Sequence, residues 1–176
     1  MFSPDDIDYT RLDVSAMLER RGIAAIDELR QKPCQRWLVE HGYDIALVNF
    51  ARSFEDVLVE LGAIFDWQGQ FGYSMEEGKG NLNALADGFS FPISAERGRV
   101  LVVQSPETLA SSHPDWFDGF LEIASDHSLF HLACGSRFFV LLVLRRESSL
   151  PGHAYGNSAI PNVHWNPNAR RHGFIE

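Results

Sequence analysis

Three short apolar runs, residues 43–50 (YDIALVNF), 99–104 (RVLVVQ) and 138–144 (FFVLLVL), are separated from one another by segments of helical periodicity. Strands that are apolar almost throughout have no face left for water, so they belong in a parallel sheet covered on both sides. Strands alternating with helices point the same way. The chain is therefore predicted to be an α/β protein: a small three-stranded parallel sheet flanked by helices, with right-handed crossovers. With 176 residues, 45% of them apolar, it has material for one good core. It reads as one compact domain, with a helical N-terminal extension over 1–42, the α/β body over 43–146 and an irregular C-terminal extension over 147–176.

In the N-terminal extension, Leu12, Ala16 and Leu18 follow an amphipathic pattern that starts at Asp8 or Thr10 and stops at Gly22. A second helical segment is capped by Asp27, interrupted by Pro33, and resumes through Trp37, Leu38 and Val39 before Gly42. Trp37 and Cys34 read as packing residues. After the first strand, Ser53 is an N-cap with Asp56 at the third helical position, and Val57, Leu58, Leu61, Ile64 and Phe65 form the buried stripe of a helix over 53–65. Residues 66–80 form an aromatic, glycine-rich loop whose Trp67, Phe71 and Tyr73 either contact a partner or close the loop onto the core. After the second strand, Ser112 and Pro114 signal a helix that runs to Gly135, with Trp116, Phe117, Phe120, Ile123 and Ala124 facing inward and Asp118, Glu122 and Asp126 outward. The tail turns to Pro, Asn, His and Gly, with Tyr155 and Trp165 available to hold it against the body.

At the centre lies the segment 78–91, GKGNLNALADGFSF. On a helix, Leu82, Leu85 and Phe89 form one buried stripe. Asn83 and Asp87, four apart, project from the opposite side beside the small Ala86. Gly78, Gly80 and Gly88 make this helix costly to order, which points to a role beyond packing. The plainer reading makes Asn81 an ordinary N-cap and Asp87 a solvated carboxylate.

Composition excludes several functions. The net charge of −9 repels nucleic acid, and the tail's Arg170 and Arg171 balance its Glu147 and Glu176, so the acidic excess lies in residues 1–146. No apolar run approaches the ~20 residues that span a bilayer, and the acidic start MFSPDDIDYT is unlike a signal peptide, so a cytoplasmic protein is expected. Cys34 and Cys134, with no partner at metal-ligand spacing, read as reduced core thiols. There is no Walker motif and no G-x-S-x-G elbow. His127 and His131 stand at i, i+4 and would share a metal with Asp126, but no third ligand at a recognisable spacing completes the set. No catalytic residue, cofactor or metal is expected.

These features come together in a resemblance. The central stretch is similar to the barstar family, intracellular inhibitors of the ribonuclease barnase, whose motif has the form Y-G-x-N-L-D-A-L-x-D. Asn81, Leu82, Ala84, Leu85 and Asp87 match it in register, and the order of strands and helices around it, over roughly 43–145, also fits. The resemblance implies a cytoplasmic ribonuclease inhibitor or immunity-type protein, whose partner is a basic ribonuclease or other nuclease toxin. By the same resemblance Asp87 enters the nuclease's phosphate site, Leu82, Asn83 and Ala86 surround it, and Glu122 adds an acidic contact from the last helix. Asn83 stands where the family has its first aspartate and Ala86 where it has an aromatic, which implies a target other than barnase. The rival readings are an interaction module or scaffold on the same fold and, third, an enzyme using the histidines. An inhibitor requires an exposed, concentrated acidic face at Asp87 and Glu122.

Overall fold

In the computed structural model, which describes residues 21–89, 93, 97–162 and 165, the main sheet has four parallel strands rather than three. Strands β1 (Ile23–Asp27), β2 (Tyr43–Asn49), β3 (Gly98–Gln104) and β4 (Arg137–Leu144) lie in the order β1-β4-β3-β2. The three expected strands are present within a residue of their predicted bounds. The additional one, β1, comes from a stretch that the sequence places between two helical segments. It pairs from Ile23 opposite Val140 to Asp27 opposite Leu144. IAAID carries no strand-like alternation and alanine is a weak strand former. What makes it a strand is its place: Ile23, Ala24, Ala25 and Ile26 are all buried beside the apolar β4.

Gly22 admits this strand. Its φ is +74°, and a Cβ there would lie 1.9 Å from Ser128 Oγ. Its carbonyl accepts from Val140 N at 2.9 Å, which sets the register at the start of β1.

The connection from β1 crosses the sheet to its far edge, whereas β2 to β3 and β3 to β4 step back the other way. If every crossover keeps one hand, the reversal sends the first helix to the opposite face. That helix, α1 (Gln31–Glu40), packs Cys34 and Leu38 against Tyr43, Val100, Val102, Phe139 and Leu141. Asp27 caps the 3₁₀ turn Glu28–Arg30 before it, accepting from Leu29 N at 2.8 Å. Pro33 does not interrupt α1 because it falls in the first turn, where no N–H is needed.

The other face carries α2 (Phe54–Ile64), the short α3 (Trp67–Phe71), α4 (Leu82–Gly88), α5 (Pro106–Ser112) and α6 (Pro114–Ala133). Ser53 caps α2 through Asp56 N, as its spacing indicates. Ser112 belongs to the end of α5 instead of capping α6, where His113 precedes Pro114. In the 66–80 segment Trp67 is buried with its ring 4.5 Å from Phe71, so these aromatics close the segment onto the core.

The tail is not irregular throughout. Ala154–Tyr155 (β5) and Ser158–Ala159 (β6) form an antiparallel hairpin, and Leu150, Tyr155 and Ile160 join the core on the α6 side. Trp165 reaches the opposite face, its ring edge-on to Trp37 and Phe139, and its backbone N–H donates to Ala25 O at 2.7 Å. Cys34 is a buried thiol, pushed up to about 12 by desolvation, but Cys134 is exposed and is not a core residue. Neither is in a disulfide. The expected first helix, through Leu12, Ala16 and Leu18, lies outside the described residues, as do Arg170, Arg171 and Glu176.

Replacing Gly22 by alanine tests the role of this corner. Positive φ and the clash with Ser128 together are expected to lower the unfolding free energy by about 2–4 kcal/mol, read from urea titrations.

Candidate functional site

The segment before α4 explains its glycines. Gly80 has φ +63°, and its carbonyl accepts from Trp116 Nε1 at 2.7 Å. A Cβ on Gly80 would lie 2.7 Å from Leu58 Cδ2 and 2.8 Å from Trp116 Nε1, so only glycine lets the chain pass between them. The cost that suggested a role beyond packing is a cost of packing. Asn81 then starts α4, its Oδ1 accepting from Asn83 N at 2.9 Å.

One side of α4 faces inward. Leu85 and Phe89 are fully buried, and Leu82 sits in the gap left by Gly119 on α6, where a Cβ would lie 2.5 Å from Leu82 Cδ1. Phe89 anchors the far end, its ring 4.7 Å from Phe65, 6.0 Å from Phe120 and 5.5 Å from Phe138. Asn83 and Asp87 are exposed and Ala86 is half-buried. Leu82, Asn83, Ala86 and Asp87 therefore share one short helix, with the polar pair outward.

Glu122 is exposed on α6, but its neighbours come from the hairpin. A Cβ on Gly156 would lie 2.6 Å from its Oε1, and it lines a polar cavity of about 70 Å³ with Arg21, Ser125, Asp126 and Tyr155. Asp87 instead faces His127, whose protonated form it favours. Between the two stands Asp126, which acts on His127 and forms an ion pair with Arg21 at 2.7 Å. The carboxylates of Asp87, Asp126 and Glu122 are thus interleaved with a histidine and an arginine. Sequence reasoning missed Arg21, 105 residues away from Asp126, because no local pattern announces such a pair. Glu77 is spent locally: it accepts from Ser74 N at 2.9 Å, and that backbone contact holds its carboxyl below the usual range.

The two helix histidines differ in role. His131 is buried, with Nε2 3.0 Å from Phe89 O and Nδ1 3.2 Å from Ser136 Oγ. A carbonyl can only accept, so Nε2 carries a proton and donates to Phe89 O, which holds the end of α4 to α6, while the Ser136 hydroxyl beside Nδ1 also lies within donating distance of the His131 carbonyl. Burial pushes its pKa down. His127 is half-buried, and burial, then the nearby His131, depress its pKa against the pull of Asp126 and Asp87. Among the described residues no group of three or more His, Cys, Asp or Glu side chains converges to hold a metal. His153 lies apart, bonding Asp118 at 2.7 Å; His164 and His172 lie outside the described residues.

No family model matches the chain, and neither a curated protein nor a solved structure matches it significantly. Among the described residues no helix is long and apolar enough to cross a membrane.

Both imidazoles resist protonation in the folded state, so the unfolded chain takes up protons first as the pH falls. Stability is expected to be at its plateau above the ordinary histidine value of about 6.5. It should fall as the pH drops through that value and level off below the depressed folded values. Urea midpoints across this range read the slope. In His131→Asn the slope should be shallower, with lower stability at pH 8 because the bond to Phe89 O is lost.

Proposed function

We propose that this chain is a ribonuclease inhibitor or immunity-type protein that acts by occlusion, seating the exposed face of α4 in the active site of a basic nuclease inside the cell. The observation that carries the reading is the way α4 is held: Gly80, Leu82 and Phe89 tie it to the core while Asn83 and Asp87 remain exposed. A carboxylate on a fixed helix loses little freedom on binding. It pairs with the Arg and Lys groups that a nuclease uses to grip phosphate. The acidic body favours encounter with a basic partner, since complementary fields raise association rates.

The order of elements supports the same reading. From β2 to β4 the chain runs strand, two helices, motif helix, strand, two helices, strand; apart from the short α3 and α5, this is the order that the resemblance to the barstar family implies. In this reading Asp87 is the central anchor, Leu82, Asn83 and Ala86 surround it, and Glu122 contributes from α6, screened in part by the Arg21–Asp126 pair. Chemistry on the chain itself has no part in it.

The purified protein is to be titrated into a panel of microbial ribonucleases at low and physiological salt, beside Asp87→Ala. Stoichiometric inhibition is expected, stronger at low salt, with the variant weakened by at least about 2 kcal/mol, or roughly thirtyfold, as for a binding hot spot. Inhibition of none of the nucleases, together with identical pull-downs from lysate for the two proteins, would replace the inhibitor by a scaffold on the same fold.

A further inference from the structure

Strand β2 ends the sheet, and among the described residues it pairs with β3 alone. Successive backbone groups of a strand point to opposite sides. Phe50 N donates to Gln104 O on the β3 side, so the N–H groups of Asn49, Leu47 and Ile45 point outward. Asn49 N–H is met there by Glu60 Oε2 at 2.9 Å, which closes that end of the edge. For the N–H groups of Ile45 and Leu47 no backbone partner lies on that side among the described residues. The opposite edge is treated differently, since Trp165 N–H covers the Ala25 carbonyl of β1.

Exposed edges are normally guarded by proline, lysine or a bulge. β2 reads YDIALVN and has neither residue, its pairing with β3 is continuous from Tyr43 to Asn49, and its one charge, Asp44, is paired with Arg97 at 3.2 Å. Its side chains at 45 and 47 lie on the α1 face, since Tyr43 and Ile45 pack with Cys34 and Leu38. There Val39, Ile45 and Leu47 floor an open groove of about 650 Å³, flanked by Lys32, Arg36 and Glu40. Val39 is 61% exposed and Leu47 45%.

We propose that this edge and groove form a self-association surface, in which a second copy of the chain adds its β2 antiparallel across a two-fold axis near Ala46. The outward groups of Ile45 then bond those of Leu47 in the second copy, and the reverse, joining the two sheets into one. Leu47 of each copy covers Ile45 of the other in the groove. Charge selects a copy of the same chain as occupant. α1 runs opposite to β2, so the two-fold axis sets the two α1 helices antiparallel, with the Lys32 end of one beside the Glu40 end of the other. A parallel pairing would set Lys32 and Glu40 each against its own counterpart, whereas the antiparallel one pairs them with each other and leaves Arg36, midway between them, beside its own copy near the axis. The exposed face of α4 takes no part, so this inference stands independently of the inhibitory reading.

Sedimentation equilibrium of the full chain tests it. A monomer–dimer equilibrium is expected, with Leu47→Lys weakening the dimer at least about tenfold while circular dichroism shows the monomer folded. Lys32→Glu and Glu40→Lys are each expected to weaken it, and the double charge swap to restore it to within about threefold of the original. Both lie on exposed positions of α1, so they carry the test even if Leu47→Lys fails to fold. A chain that stays monomeric or associates without limit overturns the proposal. So does a dimer indifferent to Leu47→Lys, or a double swap no better than its single variants.

Discussion

The fold depends on one strand that water never reaches. β4 is buried at all eight of its positions and lies between β1 and β3, so both its faces must be covered. Phe138, Val140, Leu142 and Leu144 face the helical layer of α2 to α6, and Phe139, Leu141 and Val143 face the layer of α1. Even Arg137 conforms, its guanidinium lying 5.2 Å above the Tyr43 ring, where aliphatic stem and cation both find contacts. A sheet covered on both sides needs helices on both sides, and the reversal in strand order supplies them.

The candidate site inherits its rigidity from this arrangement. α4 has only seven residues, too short to be stable alone, and its hydrogen bonds would fray in water. It is held at three points by groups that all belong to α6: Trp116 on the Gly80 carbonyl, Gly119 under Leu82, and His131 on the Phe89 carbonyl. The last is a neutral histidine in an apolar setting, which ties the end of the exposed helix face to a titratable group. Asp87 feels the same region through His127, so acidity changes both the seat of the helix and the field at its surface.

Two surfaces of different chemistry result. Around α4 and α6 the exposed groups are carboxylates interleaved with Arg21 and His127, suited to charged contacts that depend on salt. Along β2 and α1 the exposed groups are backbone amides and the apolar Leu47 and Val39, flanked by the charged Lys32, Arg36 and Glu40. The hairpin of the tail belongs to the first region, for its Gly156 turn abuts Glu122 and its Tyr155 is buried beneath. Trp165 lies on the α1 face, across Trp37.

By itself the sequence determined the elements whose signal is local. The three long apolar strands, the Ser53 cap, the Asp27 cap and the stripe of Leu82, Leu85 and Phe89 were legible because periodicity and capping act within a few residues. Of the site, the outward Asn83 and Asp87 follow from that same stripe. Tertiary structure alone decided the rest. IAAID became a strand because an apolar slot beside β4 was open, and the tail gained a hairpin because α6 offered Tyr155 a place. Gly80 and Gly119 are required by side chains that the chain order keeps 36 and 37 residues away, Trp116 for the first and Leu82 for the second. The pairing of Arg21 with Asp126, and the seating of Glu122 against the Gly156 turn, depend on how α6 is rotated against its neighbours. Such contacts are set by the packing of whole elements, whose free energy is shared among many residues and written in none of them singly.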